Sequence, residues 1–292
     1  HCNLHTQAVC QSLDAIPGDH MTDRLLEYVN YNARLECYDY VLSLPPPQTM
    51  CQSHGLDCPE NKTGFVELQG WIEKCPNSIY IYDYPRGYRV WYEPFGSFYA
   101  MVEKMNFYAS NGIKGIIQCV VPTSFTDLFV FVQGQLLWNP DADVEKLIDE
   151  FMDVYYVEAA PQMREYFNFM HNEIKNRFVL QQCERPNPDL VTAGYTAKAL
   201  EMFDKAQEAV KDDSISLQHV EIEKFCLLFS DVNQRNTRNG QLTINIPEHA
   251  KRLAETVRIA KDMEVIQVGN LPRYYDPGVD AFLKNPENIF IY

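Results

Sequence analysis

The stretch SIYIYDYP, residues 78–85, decides the fold class. It is rich in aromatic and β-branched side chains and stops at a proline, which is typical of a buried strand. The stretch FYAMVEKMNFYAS, residues 98–110, has apolar side chains at helical spacing. The stretch IKGIIQCVV, residues 113–121, predicts a second buried strand. The order strand, helix, strand with short connections predicts parallel strands, covered on both faces and joined by crossover helices.

On either side of this unit the chain changes character. Residues 1–65 are rich in Cys, Pro and turn residues, and only CYDYVLSL, residues 37–44, resembles a strand. From Asp141 onward the chain is almost wholly helical, and Asp141 or Asp143 is the predicted N-cap of the first helix of this region. The predicted helices of the chain cover residues 65–74, 98–110, 126–137, 144–156, 160–178, 195–211, 217–232 and 247–263, and one helix-like piece covers residues 23–32.

Composition excludes several classes of protein. The 292 residues are 46% hydrophobic and 22% charged, which excludes a disordered or fibrous chain. The formal net charge of −15 argues against nucleic acid or anionic lipid as a partner. The longest apolar runs fall short of a membrane span, so no membrane insertion is predicted. The acidic stretches within 141–165 and 201–224 are predicted to be solvated helix faces.

The nine cysteines permit an oxidising compartment without proving it. Cys51 and Cys58 bracket a short polar stretch, as a small disulfide loop would. The sequence His1-Cys2-Asn3-Leu4-His5, followed by Cys10, has no recognised zinc spacing and is better explained by structural thiols or a disulfide. We predict no metal site and no cofactor.

The carboxyl ends of the predicted strands are the place to look for a site, because ligands bind there in α/β folds. Tyr40 lies in the first strand-like segment, Asp83 ends the second, and Gln118 ends the third. Asp83 either serves a polar-substrate site or caps a turn before proline. Gln118 can hydrogen-bond a ligand but cannot act as an acid or base.

An aromatic loop follows Asp83. It contains Tyr88, Trp91, Tyr92 and Phe95, which form either a sugar-stacking platform or a loop core.

Several stretches together resemble a bacterial domain of formerly unknown function that is associated with glycoside hydrolases and similar to glycoside hydrolase family 163. The resemblance covers about residues 1–230 and is strongest over 65–170. The matching pieces are Trp71, YIYDY (80–84), Pro94-Phe95, NGIKGI (111–116), LLWNPD (136–141), Asp143-Val144, LIDEF (147–151), Tyr155-Tyr156 and Ala159-Ala160-Pro161.

The resemblance implies a (β/α)₈-type (TIM-like) barrel, followed by a helical C-terminal region. We place the barrel portion at 1–178 and the helical region at 179–292. Family members are similar to endo-β-N-acetylglucosaminidases that act on N-glycans, and are typically exported proteins, many from Bacteroidetes. The expected location is therefore secreted, periplasmic or at the cell surface. The family usually has an accessory domain and further barrel strands before the Cys-rich segment, so an N-terminal part of the barrel is expected to be missing here.

The resemblance also implies a carboxylate acid/base for a glycosidase acting on a glycan or oligosaccharide. Asp83 is the predicted catalytic residue, and the predicted substrate-binding residues are Tyr40, His54, Tyr84, Arg86, Trp91 and Gln118. The family pattern has an acidic residue where this chain has Gln118. The alternative hypothesis is therefore a barrel that binds glycan without cleaving it. A third hypothesis is an assembly module whose working surface is the helical region 187–292.

Overall fold

A computed structural model describes residues 40–43, 50–87, 91–118, 120–183, 189–239 and 247–265. The strands are β1 (Tyr40–Ser43), β2 (Ile79–Asp83) and β3 (Gly115–Gln118). The helices are α1 (Lys62–Lys74), α2 (Phe98–Ser110), α3 (Thr126–Trp138), α4 (Val144–Tyr155), α5 (Ala160–Arg177), α6 (Ala193–Ala209), α7 (Ser214–Asn239) and α8 (Pro247–Asp262). Short 3₁₀ turns cover Pro59–Asn61 and Val157–Ala159. The predicted cluster of His1, Cys2, His5 and Cys10 and the helix-like piece 23–32 lie outside the described residues.

The three strands form one parallel sheet in the order β1-β2-β3. This confirms the parallel pairing predicted from residues 78–84 and 113–121. Because the spatial order equals the chain order, both crossovers step in the same direction. Right-handed crossovers then place α1 and α2 on the same face of the sheet. A sheet wound in one direction is the arrangement that barrels use. The eight-stranded barrel itself stays a prediction.

The two faces of the sheet differ in burial. Ile79, Ile81 and Asp83 are buried on the face that packs against α1 and α2, while Tyr80 and Tyr82 between them are only half-buried. On β3, Ile117 is 44% exposed. The prediction that β3 is covered on both faces is therefore wrong for the residues that the structure describes. The apolar composition of β3 does not by itself bury both of its faces. A side chain on the face away from the helices is buried only where another element packs on it, and the residues of the strand do not determine whether one does.

One hydrophobic core runs through most of the described chain. It includes Met50 and Leu68 between β1 and β2, Phe129 in α3, and Phe203 and Leu227 in α6 and α7. The core thus crosses the predicted boundary between 178 and 179, although the division into two domains stays a prediction. A smaller cluster joins α7 to α8 through Phe229 and Ile259. None of the described helices is both long and apolar enough to cross a membrane.

The start of α4 is set by one of the two aspartates considered above. Asp143 is the N-cap, and its Oδ1 accepts a hydrogen bond from the backbone N–H of Lys146 at 3.1 Å. This contact satisfies one of the backbone donors that every helix start leaves without an intrahelical partner.

Replacing Asp143 by alanine is expected to lower the free energy of unfolding by about 1 kcal/mol, because the Lys146 N–H loses its side-chain acceptor. Chemical denaturation measures the change. Asp141→Ala is the matched control, since Asp141 is equally exposed and precedes the cap. Equal losses in the two variants would show that charge rather than capping is responsible.

Candidate functional site

The carboxyl edge of the sheet brings Asp83 and Gln118 together, as the sequence predicted. The two are register partners at the ends of β2 and β3. Tyr40 is not at this edge, because it pairs with Ile79 at the amino end of β2. At about 3.3 Å per residue, the four steps from Ile79 to Asp83 put Tyr40 roughly 13 Å along the strands from that edge. The strand β1 ends at Ser43, inside the predicted segment 37–44, so Ser43 rather than Tyr40 stands at its carboxyl end.

Asp83 takes part in a buried ion pair. Its Oδ2 lies 3.0 Å from the Nζ of Lys104 in α2, and each side chain is 2% exposed. Its Oδ1 accepts a hydrogen bond from the Tyr84 N–H at 2.9 Å. The Lys104 ammonium also donates to Gln52 Oε1 at 2.8 Å. Both carboxylate oxygens therefore accept bonds inside the protein. This placement favours a structural role for Asp83 and leaves the catalytic role a prediction.

The face of the sheet that lies away from the helices carries mainly aromatic side chains. We define the tyrosine face as Tyr80, Tyr82, Tyr84 and Ile117. All of these side chains except the exposed Ile117 are half-buried. The Tyr84 hydroxyl donates to the Tyr82 hydroxyl at 3.1 Å, and the two rings meet edge to face with centroids 5.1 Å apart. This hydrogen bond fixes the position of two aromatic rings beside the carboxyl edge.

Gln118 follows Ile116 on the opposite face, the one that Asp83 shares. The residue is half-buried, and its Nε2 is enclosed without a hydrogen-bond partner among the described residues. An enclosed amide donor without a partner is uncommon in folded proteins and is often satisfied by a bound molecule or water. Its position fits the predicted role in ligand contact, which stays a prediction.

Arg86 is an interior residue rather than a surface one. It is 1% exposed, and its guanidinium lies over the Phe129 ring at 4.7 Å from the centroid. It donates to Ser97 Oγ at 3.3 Å and to the Ser124 carbonyl, and so ties the segment after β2 to the segment after β3. Burial lowers the pKa of Arg86 to about 10. These contacts use the guanidinium to hold two loops together, and the predicted contact of Arg86 with substrate stays a prediction.

The aromatic loop divides between surface and core. Trp91 is half-buried. Phe95 is 1% exposed, and Tyr92 packs edge-on against Phe225 of α7 at 5.1 Å between centroids. Tyr88 lies outside the described residues. For Tyr92 and Phe95 the loop-core interpretation therefore describes their positions, and a stacking platform made of all four residues is not formed.

Glu223 in α7 was missed by the sequence argument, which placed residues 201–224 on a solvated face. It is 5% exposed, and both of its carboxyl oxygens lie 2.9 Å from the Phe125 backbone nitrogen, which donates to them. Burial raises the pKa of Glu223 to about 8, although Phe125 N–H, the Arg86 charge and the Tyr156 hydroxyl favour the ionised form. The prediction of a solvated face is wrong here, because α7 turns this side toward α3 and the segment before it.

His54 belongs to a different group of residues from the strand ends. Its Nδ1 lies 3.1 Å from Cys51 Sγ, and its ring stacks on Phe178 at 4.4 Å between centroids. Burial lowers the pKa of His54. Cys51 and Cys58 are buried thiols, and the structure does not join them in the disulfide that their spacing suggested. This group is connected to the sheet only indirectly: Gln52, next to Cys51, accepts a hydrogen bond from Lys104, which pairs with Asp83 at the end of β2.

Comparison with known proteins gives one finding. Residues 49–168 match the family model described as "Domain of unknown function (DUF4838)". The matched part covers less than half of the 292 residues and contains α1, β2, α2, β3, α3 and α4. No curated protein and no solved structure matches the chain.

Proposed function

We propose that this protein binds a glycan or oligosaccharide at the carboxyl edge of its parallel sheet, against the tyrosine face, and does not cleave it. The observation that carries the proposal is the half-buried Tyr82–Tyr84 pair beside the edge. Rings that are held in place and partly open to solvent suit stacking on the apolar faces of sugars, while their hydroxyls can bond sugar hydroxyls. The family resemblance supplies the sugar as the ligand class.

The sheet geometry is compatible with the proposed barrel. In a (β/α)₈-type barrel one face of every strand meets the crossover helices and the other lines the barrel interior. Here the face with Ile79 and Ile81 meets the helices, and the tyrosine face is the other one. A glycan at the carboxyl ends of such strands would contact Tyr84, the Tyr82 ring that packs against it, and the neighbouring loops. The exported location implied by the resemblance is part of the same proposal.

Binding without cleavage is favoured by the carboxylates. A glycosidase places two carboxyl groups about 5–10 Å apart on either side of the scissile bond. At this edge Gln118 provides an amide, and the Asp83 carboxylate is turned to the helix side and paired with Lys104. Hydrolysis of an acetamido-sugar linkage remains the competing hypothesis, and the same experiment tests it.

The proposal predicts that Tyr82→Ala and Tyr84→Ala each raise the Kd for a bound oligosaccharide on the order of tenfold, because each removes one stacking surface. Titration calorimetry with acetamido-sugar oligosaccharides and N-glycans measures the Kd. Trp138→Ala is the matched control, since Trp138 is an aromatic side chain that is 91% exposed at the end of α3 and is not part of the tyrosine face.

Two results would count against this function. If no glycan in the panel binds, or if both tyrosine variants bind as tightly as the unmodified protein, the tyrosine face is not the site. Mass spectrometry of the oligosaccharides after incubation is expected to show intact glycan only. Released product would instead establish the hydrolase hypothesis. Its loss in an Asp83→Asn variant that keeps the circular dichroism and melting temperature of the unmodified protein would then make Asp83 the acid/base, since breaking the buried pair with Lys104 can also unfold the chain.

A further inference from the structure

The loop between β1 and α1 holds a cluster of metal-ligating side chains. We define the thiol–imidazole cluster as Cys51, His54 and Cys58. One ligand atom from each residue lies within 4.8 Å of the others. Cys51 is 0% and Cys58 4% exposed, and His54 is half-buried. The three residues span eight positions of the chain, so the whole cluster belongs to one short loop.

The distances within the cluster approach those of a tetrahedral site. Zinc binds thiolate at about 2.3 Å and imidazole at about 2.0–2.1 Å, so tetrahedral angles place S and N about 3.6 Å apart and two S atoms about 3.8 Å apart. In the structure Cys51 Sγ and His54 Nδ1 are 3.1 Å apart, and the Cys58 ligand atom lies within the same 4.8 Å limit. Shifts of the three ligand atoms by up to about one ångström would bring them to the distances of a tetrahedral zinc site.

The loop is held in this shape by hydrogen bonds that do not use the ligand atoms. Asn61, which is 1% exposed, accepts from the Cys51 N–H at 2.8 Å and donates to the carbonyls of Cys51 and Gly55 at 2.9 Å each. The Cys58 N–H donates to the Gly55 carbonyl at 3.1 Å. The backbone at Cys51 is thus fixed by the buried Asn61 amide, and the backbone at Cys58 by its hydrogen bonds with Gly55 and Asn61.

A second set of contacts anchors the His54 side of the loop. Ser53 Oγ donates to the Val179 carbonyl at 2.7 Å, and the Gln181 N–H donates to Ser53 Oγ at 3.2 Å. The His54 ring stacks on Phe178, which restricts its rotation. A ring that is already oriented loses little conformational entropy when one of its nitrogens binds a metal.

We propose that the thiol–imidazole cluster binds one zinc ion through Cys51 Sγ, Cys58 Sγ and His54 Nδ1, with a water molecule as the fourth ligand. Binding converts both thiols to thiolates, and their two protons pass to solvent. Two sulfur ligands and one imidazole select zinc over the hard cations Mg²⁺ and Ca²⁺, which take oxygen ligands. The ion would rigidify the loop that contains Gln52, whose Oε1 accepts a hydrogen bond from Lys104 on the helix side of the sheet.

The proposal is tested on the full chain, purified under reducing conditions and loaded with zinc sulfate. Inductively coupled plasma mass spectrometry after gel filtration is expected to find about one zinc per chain. The double variant Cys51→Ser, Cys58→Ser is expected to fall to background zinc. Cys75→Ser is the matched control, because Cys75 is a buried thiol at the end of α1, outside the cluster, and this variant should keep its zinc. Zinc retained by the double variant at the level of the unmodified protein would mean an adventitious ion only and would overturn the proposal.

A second measurement does not depend on a variant that folds. Cobalt added anaerobically to the unmodified, reduced protein is expected to give sulfur-to-cobalt charge-transfer absorption and the visible bands of tetrahedral cobalt. Zinc should abolish both by displacement. Absence of this spectrum from the reduced protein would overturn the zinc site. A Cys51–Cys58 disulfide, located by peptide mass mapping of protein purified without reductant, would identify the cluster as a redox pair instead. Neither outcome bears on glycan binding, since the zinc proposal does not rest on it.

Discussion

Lys104→Met is expected to lower the free energy of unfolding by about 3–5 kcal/mol, because removing one partner of a buried ion pair strands the other. Lys104 and Asp83 are each 2% exposed and their charged atoms are 3.0 Å apart. Methionine keeps most of the apolar stem but leaves the Asp83 carboxylate without its counter-ion and Gln52 Oε1 without its donor. Urea denaturation monitored by fluorescence and circular dichroism measures the change.

A double-mutant cycle separates the ion pair from the packing. Asp83→Leu combined with Lys104→Met is expected to recover much of the loss, because two apolar side chains of similar volume replace a pair that is costly to desolvate. Lys146→Met is the control, since Lys146 pairs with Glu150 on α4 at 70% and 55% exposure and should change stability little. If Lys104→Met is no more harmful than Lys146→Met, the ion pair does not support the fold in solution.

This ion pair shows what the sequence could and could not predict. The strands β2 and β3 and the helices around them follow from local signals, namely β-branched runs, helical periodicity and prolines at the ends. The direction of Asp83 was harder to predict, because SIYIYDY is apolar or aromatic at nearly every position and marks neither face. The signal that could have settled it lies in α2, where Lys104 falls among Met101, Met105 and Tyr108 on the buried stripe. A lysine on an apolar stripe requires a buried partner.

The other site residues differ in how far the sequence alone could predict them. Cys51, His54 and Cys58 lie within eight positions, so their grouping was available from the sequence. The spacing of Cys51 and Cys58 suggested a disulfide loop. That the His54 ring turns toward Cys51 could not be predicted from this spacing, since the ring is oriented by Phe178, a residue far along the chain. Glu223 reaches Phe125 across 98 positions. No local pattern distinguishes that carboxylate from its exposed neighbours, since its burial depends on how α7 packs against distant elements.

Glu223 should make the stability of this protein fall as pH rises from about 4.5 to about 8. Burial is the largest cause that raises its folded-state pKa to about 8 from an ordinary value of 4.5. Between these two values the folded state holds a proton that the unfolded state has released. The free energy of unfolding therefore decreases with rising pH, by up to about 1.4 kcal/mol per pH unit for one proton. The contribution is complete below about pH 4.5 and is lost as pH passes through 8.

Glu223→Gln removes this titration while keeping an oxygen that can accept from the Phe125 N–H. The free energy of unfolding of the unmodified protein minus that of the variant is expected to fall by roughly 3.5 kcal/mol between pH 5 and pH 8. Chemical denaturation at half-unit pH steps measures both curves, and taking the difference cancels the other titrating groups that the two proteins share. Glu201→Gln on α6 removes the same formal charge from an exposed position, so its difference curve gives the general charge effect. A Glu223→Gln difference that stays flat over this range, or matches that of Glu201→Gln, would mean that the buried carboxyl group is already ionised at pH 5. In that case the nearby Arg86 guanidinium and the Phe125 N–H, rather than burial, would dominate the electrostatics of this carboxyl group.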